Sequence, residues 1–196
     1  TLQIGTHGWE FTGAGTITGE APATGAVGIQ TIKSAASAGS ASGITLPNIG
    51  ANKIIKGNQG NTTIIMRIKN DVTPDGNSGI RIGLSTTNPS SSGDPTSGIY
   101  FRATSGNWEA VTRDNDIQTT TDTGVAQSTA FKTFKFVLNS AGTSVEFFID
   151  GISEATHSTN ITSNAVMPYL QAQTAVATAY GFDIDYYYLK VTGLSR

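Results

Sequence analysis

FKTFKFVLNSAGTSVEFFIDGISEATH, residues Phe131–His157, is the stretch on which the fold turns. Phe134, Phe136 and Leu138 alternate with Lys135, Val137 and Asn139; Val145, Phe147 and Ile149 then alternate with Glu146, Phe148 and Asp150. Successive side chains of a strand point to opposite faces, so a period of two with apolar residues on one phase describes two strands, each covering a core on one side. Asn139–Gly142 supplies the first turn. Asp150-Gly151 supplies the second, and it is a strong hairpin signal because a type I′ turn needs positive φ at both central residues. The stretch predicts a three-strand antiparallel meander.

The same alternation extends outward on both sides. Ile64, Met66 and Ile68 oppose Ile65, Arg67 and Lys69; after the turn residues Pro74-Asp75-Gly76-Asn77, Ile80, Ile82 and Leu84 oppose Arg81, Gly83 and Ser85. A hairpin is expected to join those two strands. Ile99–Arg102, Trp108–Arg113 and Ile117–Thr123, separated by Ser105-Gly106-Asn107 and Asp114-Asn115-Asp116, predict a second meander. Between the two groups, TTNPSSSGDPTSG (86–98) carries no aliphatic or aromatic residue, and its two prolines exclude a central strand. A loop this long on a β scaffold is expected to be functional or mobile, and exposed. Val166–Thr174 and Phe182–Thr192 are the last strands; the second has large residues on both faces, as an interior strand would.

Before Ile64 the pattern weakens. Trp9 and Phe11 mark a short strand, Val27–Ile32 another, and Ile44 with Leu46 a third ending at Pro47. The Gly13-Ala14-Gly15 segment lacks the following helix and the Lys-Ser/Thr of a phosphate loop, so it reads as a turn. Ser34–Gly43 is all Ala, Ser and Gly, a loop, a flat strand or a linker. The 196 residues fit a single sandwich domain, 1–196, in which 1–43 is either the first strands or an arm. The sequence opens at Thr1 rather than Met, which reads as a processed product or part of a longer chain.

Composition narrows the function. Only 13% of residues are charged and the net charge is -2, which argues against the clustered basic face of a nucleic-acid binder. Without cysteine there is neither a disulfide nor a thiolate metal site, and no apolar run reaches the length of a membrane span.

The segments Gly98–Gly124, Phe131–Ile161 and Phe182–Val191, in this order, resemble the concanavalin A-like, laminin-G-like jelly-roll domains, and more narrowly those of bacteriophage tail fibres, tailspikes and capsid-decorating proteins. Phe147, Asp150 and Gly151 match that family's hairpin, Ala155-Thr156-His157 its following strand, and Asp185-Tyr186 its closing strand. The resemblance implies an all-β, two-sheet antiparallel jelly-roll sandwich. It also implies a non-enzymatic virion protein that assembles with capsid or tail proteins, as a homo-oligomer and by family analogy a trimer. The alternative it implies is a lectin-like module for host-surface polysaccharide, and after that a glycoside hydrolase.

Chemistry on such a fold needs particular residues. A glycanase needs two carboxylates flanking the scissile bond; Asp183 and Asp185 share a strand face, but no third acid follows in residues 186–190. No catalytic residue is therefore assigned, and no G-x-S-x-G elbow accompanies the two histidines, His7 and His157. Sugars lay their C–H faces on aromatic rings and hydrogen-bond to Arg and acidic side chains. Tyr100, Arg102, Trp108, Glu109 and Arg113, on adjacent strands, are the candidate glycan-binding residues. The competing reading makes Trp108 core and Glu109 with Arg113 a solvated cross-strand pair. No cofactor is required; calcium is the ion that Asp114, Asp116 and Asp94 would suit, although they lack the spacing of an EF-hand loop. Asn61-Thr62-Thr63 and Asn160-Ile161-Thr162 match the glycosylation pattern, which matters only in a secretory route.

Overall fold

The alternation gives fifteen strands and no helix among the described residues of the computed structural model, which are 2–4, 7–19, 28–45, 55–56, 58–73, 75–104 and 106–193. In chain order they are β1 (Leu2–Ile4), β2 (His7–Gly13), β3 (Thr16–Gly19), β4 (Gln30–Lys33), β5 (Ala41–Thr45), β6 (Asn61–Asn70), β7 (Ser78–Ser85), β8 (Gly98–Ala103), β9 (Asn107–Asp114), β10 (Ile117–Ala126), β11 (Lys132–Leu138), β12 (Val145–Ile149), β13 (Ile152–His157), β14 (Met167–Thr174) and β15 (Gly181–Thr192). They form two antiparallel sheets. The first runs β1-β2-β5-β14-β7-β8-β9-β10 and the second β13-β12-β11-β6-β15-β4-β3. This is the expected two-sheet sandwich.

Both expected meanders are present, β8-β9-β10 and β11-β12-β13. Asp150 and Gly151 have φ of 50° and 85°, and Asn115 and Asp116 have 48° and 67°, as type I′ turns require. The inward phase of each strand fills the core: Ile64, Met66, Phe134, Phe136 and Phe147 of the second sheet meet Ile80, Ile82, Phe101, Trp108 and Leu170 of the first. Phe101 packs edge-on against Phe134 at 5.1 Å and Phe147 at 5.3 Å, and Trp108 lies 4.5 Å from Phe134. Each such side chain contributes roughly 1.5–3 kcal/mol through burial, and the ring pairs add to that.

The hairpin expected between β6 and β7 does not form. β6 pairs with β11 and β15, whereas β7 pairs with β14 and β8, in the opposite sheet. Periodicity says which face a residue takes and leaves the neighbouring strand open. After Asn70 the chain is held against β15, with the Asp71 carboxylate accepting from Gly181 N at 2.9 Å and pairing with Lys33 at 2.7 Å. It then crosses to the other layer, where Ala175 N donates to Asn77 O at 2.9 Å. Pro74, part of the expected turn, lies outside the described residues, as do Val27, Leu46, Pro47 and Ser105.

Of the Ala/Ser/Gly stretch, residues 41–43 belong to β5, paired on both sides by β2 and β14. Its small residues have a steric reason. A Cβ on Gly43 would stand 2.0 Å from Leu170 O and 2.7 Å from Pro89 Cβ, the first of these being backbone that cannot swing away. Gly43→Ala is therefore expected to destabilise by about 2 kcal/mol, by forcing β5 from β14 and lifting Pro89; the urea midpoint measures it. β15 lies between β6 and β4, as its two-sided bulk predicts, with a bulge at Asp185 that turns Tyr186 and Tyr188 to solvent.

Candidate functional site

The first sheet buries both faces at its centre, and its outer face is polar. Opposite the core-facing Ile80, Ile82, Ile99, Phe101, Leu170 and Ala172, the other phase of β7, β8, β9 and β14 carries Arg81, Tyr100, Arg102, Glu109, Arg113, Tyr169, Gln171 and Gln173. Register aligns four of these into a row: Gln171 stands opposite Arg81, Arg81 opposite Arg102, and Arg102 opposite Glu109. In the next row Gly83 lies between Tyr169 and Tyr100.

Residues 86–97 strap this face. Asn88 Oδ1 accepts from Thr12 Oγ1 at 2.7 Å; Gln171 Nε2 donates to the carbonyls of Pro89 (2.9 Å) and Ser91 (2.6 Å); Gly93 N donates to Gln173 Oε1 at 2.8 Å. Asp94 then enters the arginine row. Arg81 Nε donates to its Oδ1 at 2.6 Å, Arg102 Nη1 donates to Oδ2, and Arg113 Nη1 lies 3.4 Å from Oδ2. Asp116 N donates to Thr96 O at 2.9 Å and Asn115 N to Ser97 Oγ at 3.0 Å, which ties the end of the strap to the β9-β10 turn. The strap's Ser90–Ser92 tip is exposed, but Pro89, Pro95 and Ser97 are buried, so the loop expected to be exposed is a cover.

The electrostatics follow from that packing. Burial by itself would raise the Asp94 carboxyl, but the charges and hydrogen bonds of Arg81 and Arg102 outweigh it and hold Asp94 below the usual carboxylate range. Burial works against the charge on Arg102, and its bond to Glu109 (2.8 Å) together with Asp94 more than restores it. Tyr100 and Tyr169 are both raised, first by burial, and stay protonated donors. The Tyr100 hydroxyl and Arg113 Nε are buried without a hydrogen-bond partner.

Of the five residues singled out by sequence, four share this face. Trp108 is turned into the core, 1% exposed, so it offers no ring to a ligand. Glu109 bonds Arg102 rather than Arg113, whose Nη2 takes Asp116 at 3.0 Å; the solvated Glu109–Arg113 pair does not form, because register sets Glu109 opposite Arg102. Arg81, Tyr169, Gln171, Gln173 and Asp94 join the cluster without having been singled out as glycan ligands. The outward phase of Arg81 was legible, but the neighbourhood of β14 and β7 was not.

The oxygen atoms considered for calcium have other partners. Asp94 is taken by guanidinium groups, Asp116 by Arg113, and Asp114 accepts from Ser97 Oγ at 3.2 Å. Among the described residues no three His, Cys, Asp or Glu side chains gather as a metal site would require. Asp183 and Asp185 lie on the outer face of the other sheet, in ion pairs with Lys69 (3.1 Å) and Arg67.

His157 is buried between the layers. Its Nδ1 is 3.0 Å from Thr112 Oγ1, its Nε2 is 3.0 Å from Thr121 Oγ1, and its ring lies against Phe147. The side chain of His7 lies outside the described residues. Burial holds the His157 pKa below 6.5, so the folded protein binds fewer protons there than the unfolded chain. Stability is then full above about pH 6.5 and falls as pH drops below it. Urea midpoints from pH 5 to 7 should rise in the native protein and flatten in His157→Gln.

The arrangement of two large antiparallel sheets is shared with solved structures. The Emp47p carbohydrate recognition domain superimposes with a TM-score of 0.63 at 13% identity, covering 97% of this chain and 91% of that one. The chain has a concanavalin A-like jelly-roll fold. A carbohydrate esterase of the Shiga toxin-encoding bacteriophage phi24B matches this jelly roll with a TM-score of 0.57 at 17% identity, over 95% and 91% of the two chains. Alginate lyase A1-II′, of polysaccharide lyase family 7, matches with 0.58 at 11%, over 85% and 81%. No family model and no curated protein sequence matches the chain. At these identities the likeness is one of fold, shared by binding domains and enzymes alike.

Proposed function

We propose that this chain is a non-enzymatic glycan-recognition domain, serving as a surface-attachment part of a bacteriophage particle. The observation that carries the reading is the row Gln171, Arg81, Arg102 and Glu109 across the outer face of the first sheet, with Arg113, Tyr100 and Gln173 beside it. Guanidinium and carboxamide side chains in a fixed plane recognise hydroxyl and carboxylate groups by paired hydrogen bonds. The acids in the row do not suit proton transfer. Asp94 is held ionised by its arginines and so is not the protonated partner that glycoside cleavage needs, and Glu109 is engaged by Arg102. Carbohydrate recognition in the Emp47p domain and the phage origin of the esterase add support from proteins of the same fold.

A glycan array probed with the purified protein, with and without calcium, should show saturable binding, and prolonged incubation with bound glycans should release no reducing ends. An array without signal would remove the glycan reading, and steady sugar release the non-enzymatic one. A second reading, assembly with virion proteins or with copies of itself, is favoured by the outer face of the other sheet. There Tyr188, Ile65, Lys135 and Phe148 stand in register across four strands, with Tyr188 45% exposed and Lys135 Nζ 4.2 Å above the Phe148 ring. Tyr188→Ser with Phe148→Ser would weaken association in sedimentation experiments without changing glycan binding.

A further inference from the structure

We infer that residues 86–97 are an intramolecular plug in which the Asp94 carboxylate stands in for the carboxylate of a uronic-acid residue, and that an acidic glycan binds by taking its place on Arg81, Arg102 and Arg113. The inference rests on the glycan reading and adds the ligand class and the gate.

Three observations carry it. First, the strap is held by exchangeable contacts. Apart from Pro89 and Pro95 it brings no apolar side chain to the sheet, and its anchors are hydrogen bonds to Gln171, Gln173, Thr12 and the β9-β10 turn and ion pairs to the arginines. A ligand rich in hydroxyl groups can replace such contacts one for one, which it could not do for a hydrophobic seal.

Second, the strap presents the chemical outline of a sugar acid. A planar carboxylate bridges Arg81 and Arg102 on neighbouring strands, and beside it two carbonyl oxygens accept from Gln171 Nε2 while one N–H donates to Gln173 Oε1. A uronic acid offers this set, one carboxylate flanked by hydroxyls that both donate and accept. Among the described residues Arg81 has Asp94 as its acidic partner, with Gln171 Oε1 and Gln173 Oε1 each at 3.1 Å. A ligand that displaces the strap and covers Arg81 must therefore offer an acceptor in place of Asp94, or leave a buried charge unpaired.

Third, the closed arrangement is incomplete. Tyr100 Oη and Arg113 Nε are buried on this face with no partner, and a buried polar group left unpaired costs about 1–3 kcal/mol. Two donors are thus left for a ligand larger than the Asp94 side chain.

The test uses Asp94→Gly and a label on the strap. Thermal midpoints of the native protein and the variant are measured with sodium glucuronate, glucose, acetate and sulfate at matched ionic strength. The variant is expected to be destabilised and to recover with glucuronate more than with acetate or sulfate, and not with glucose. Its affinity for glucuronate is expected to be about tenfold or more above that of the native protein, in which Asp94 competes. Recovery by sulfate or acetate equal to that by glucuronate would overturn the sugar-acid assignment, and no recovery by any anion would overturn the pocket.

Should Asp94→Gly fail to fold, the strap itself supplies the readout. The chain has no cysteine, so Ser92→Cys at the exposed tip takes a single spin label. Polygalacturonate is expected to increase the label's mobility and dextran to leave it unchanged. Glycan binding that leaves the label still would overturn the plug while sparing the glycan-recognition reading; failure of every glycan to bind would remove both.

Discussion

Trp108→Ala is expected to lower stability by about 4 kcal/mol, the cost of a large aromatic side chain removed from a packed core. Trp108 is 1% exposed, lies 4.5 Å from Phe134 and shares its cluster with Phe101 and Phe147. The strands around it are paired on both sides, so the cavity has little freedom to collapse. Trp108→Phe, which keeps a ring at that place, should cost far less and leave glycan binding unchanged. A ligand platform would give the opposite pattern, with small stability changes and a large loss of binding. Urea unfolding and array binding of the two variants separate the cases.

Asp94→Ala is expected to cost about 3 kcal/mol, because it strands a buried guanidinium. The Arg81 side chain is 6% exposed and that of Asp94 15%, so solvent screens the pair weakly. Arg102 keeps Glu109 and Arg113 keeps Asp116, whereas Arg81 is left with two carboxamide oxygens. Arg81→Ala should be similarly damaging, and the double variant less so than the sum, since the second change removes the stranded partner. A double-mutant cycle in urea measures this coupling. The pH dependence gives a second check. The folded-state pKa of Asp94 lies below its ordinary value, so its contribution is full above about pH 4 and is lost as pH falls through the folded pKa. Asp94→Ala should flatten the stability profile only at that acidic end, apart from the His157 window nearer neutrality.

The face of each residue was legible wherever the period of two was regular. Phe134, Phe136 and Leu138 are buried while Lys135 and Val137 are half-buried outside, and Ile80, Ile82 and Leu84 oppose Arg81 as the alternation requires. The same alternation sets Tyr100 with Arg102, and Glu109 with Arg113, on one phase of their strands, and the structure turns that phase outward. Alternation fell short where a second layer intervened. Ser85 and Thr86 continue into a strap that buries an outward face, and nothing local to TTNPSSSGDPTSG reports that Asp94 will meet Arg81 and Arg102.

The sequence alone determined the regular strands from Ile64 onward, the two meanders with their Asn115-Asp116 and Asp150-Gly151 turns, and the inward set of the alternating strands, because alternation and turn chemistry are local properties. Only the tertiary structure decided that β6 and β7 part into different sheets, that β14 lies between β5 and β7, and that Gln171, Arg81, Arg102 and Glu109 therefore line up in one row under Asp94. Strand order is fixed by the burial of whole faces and by contacts between residues far apart in the chain, such as Gln171 with Pro89 and Asp71 with Gly181. No window of neighbouring residues contains that information.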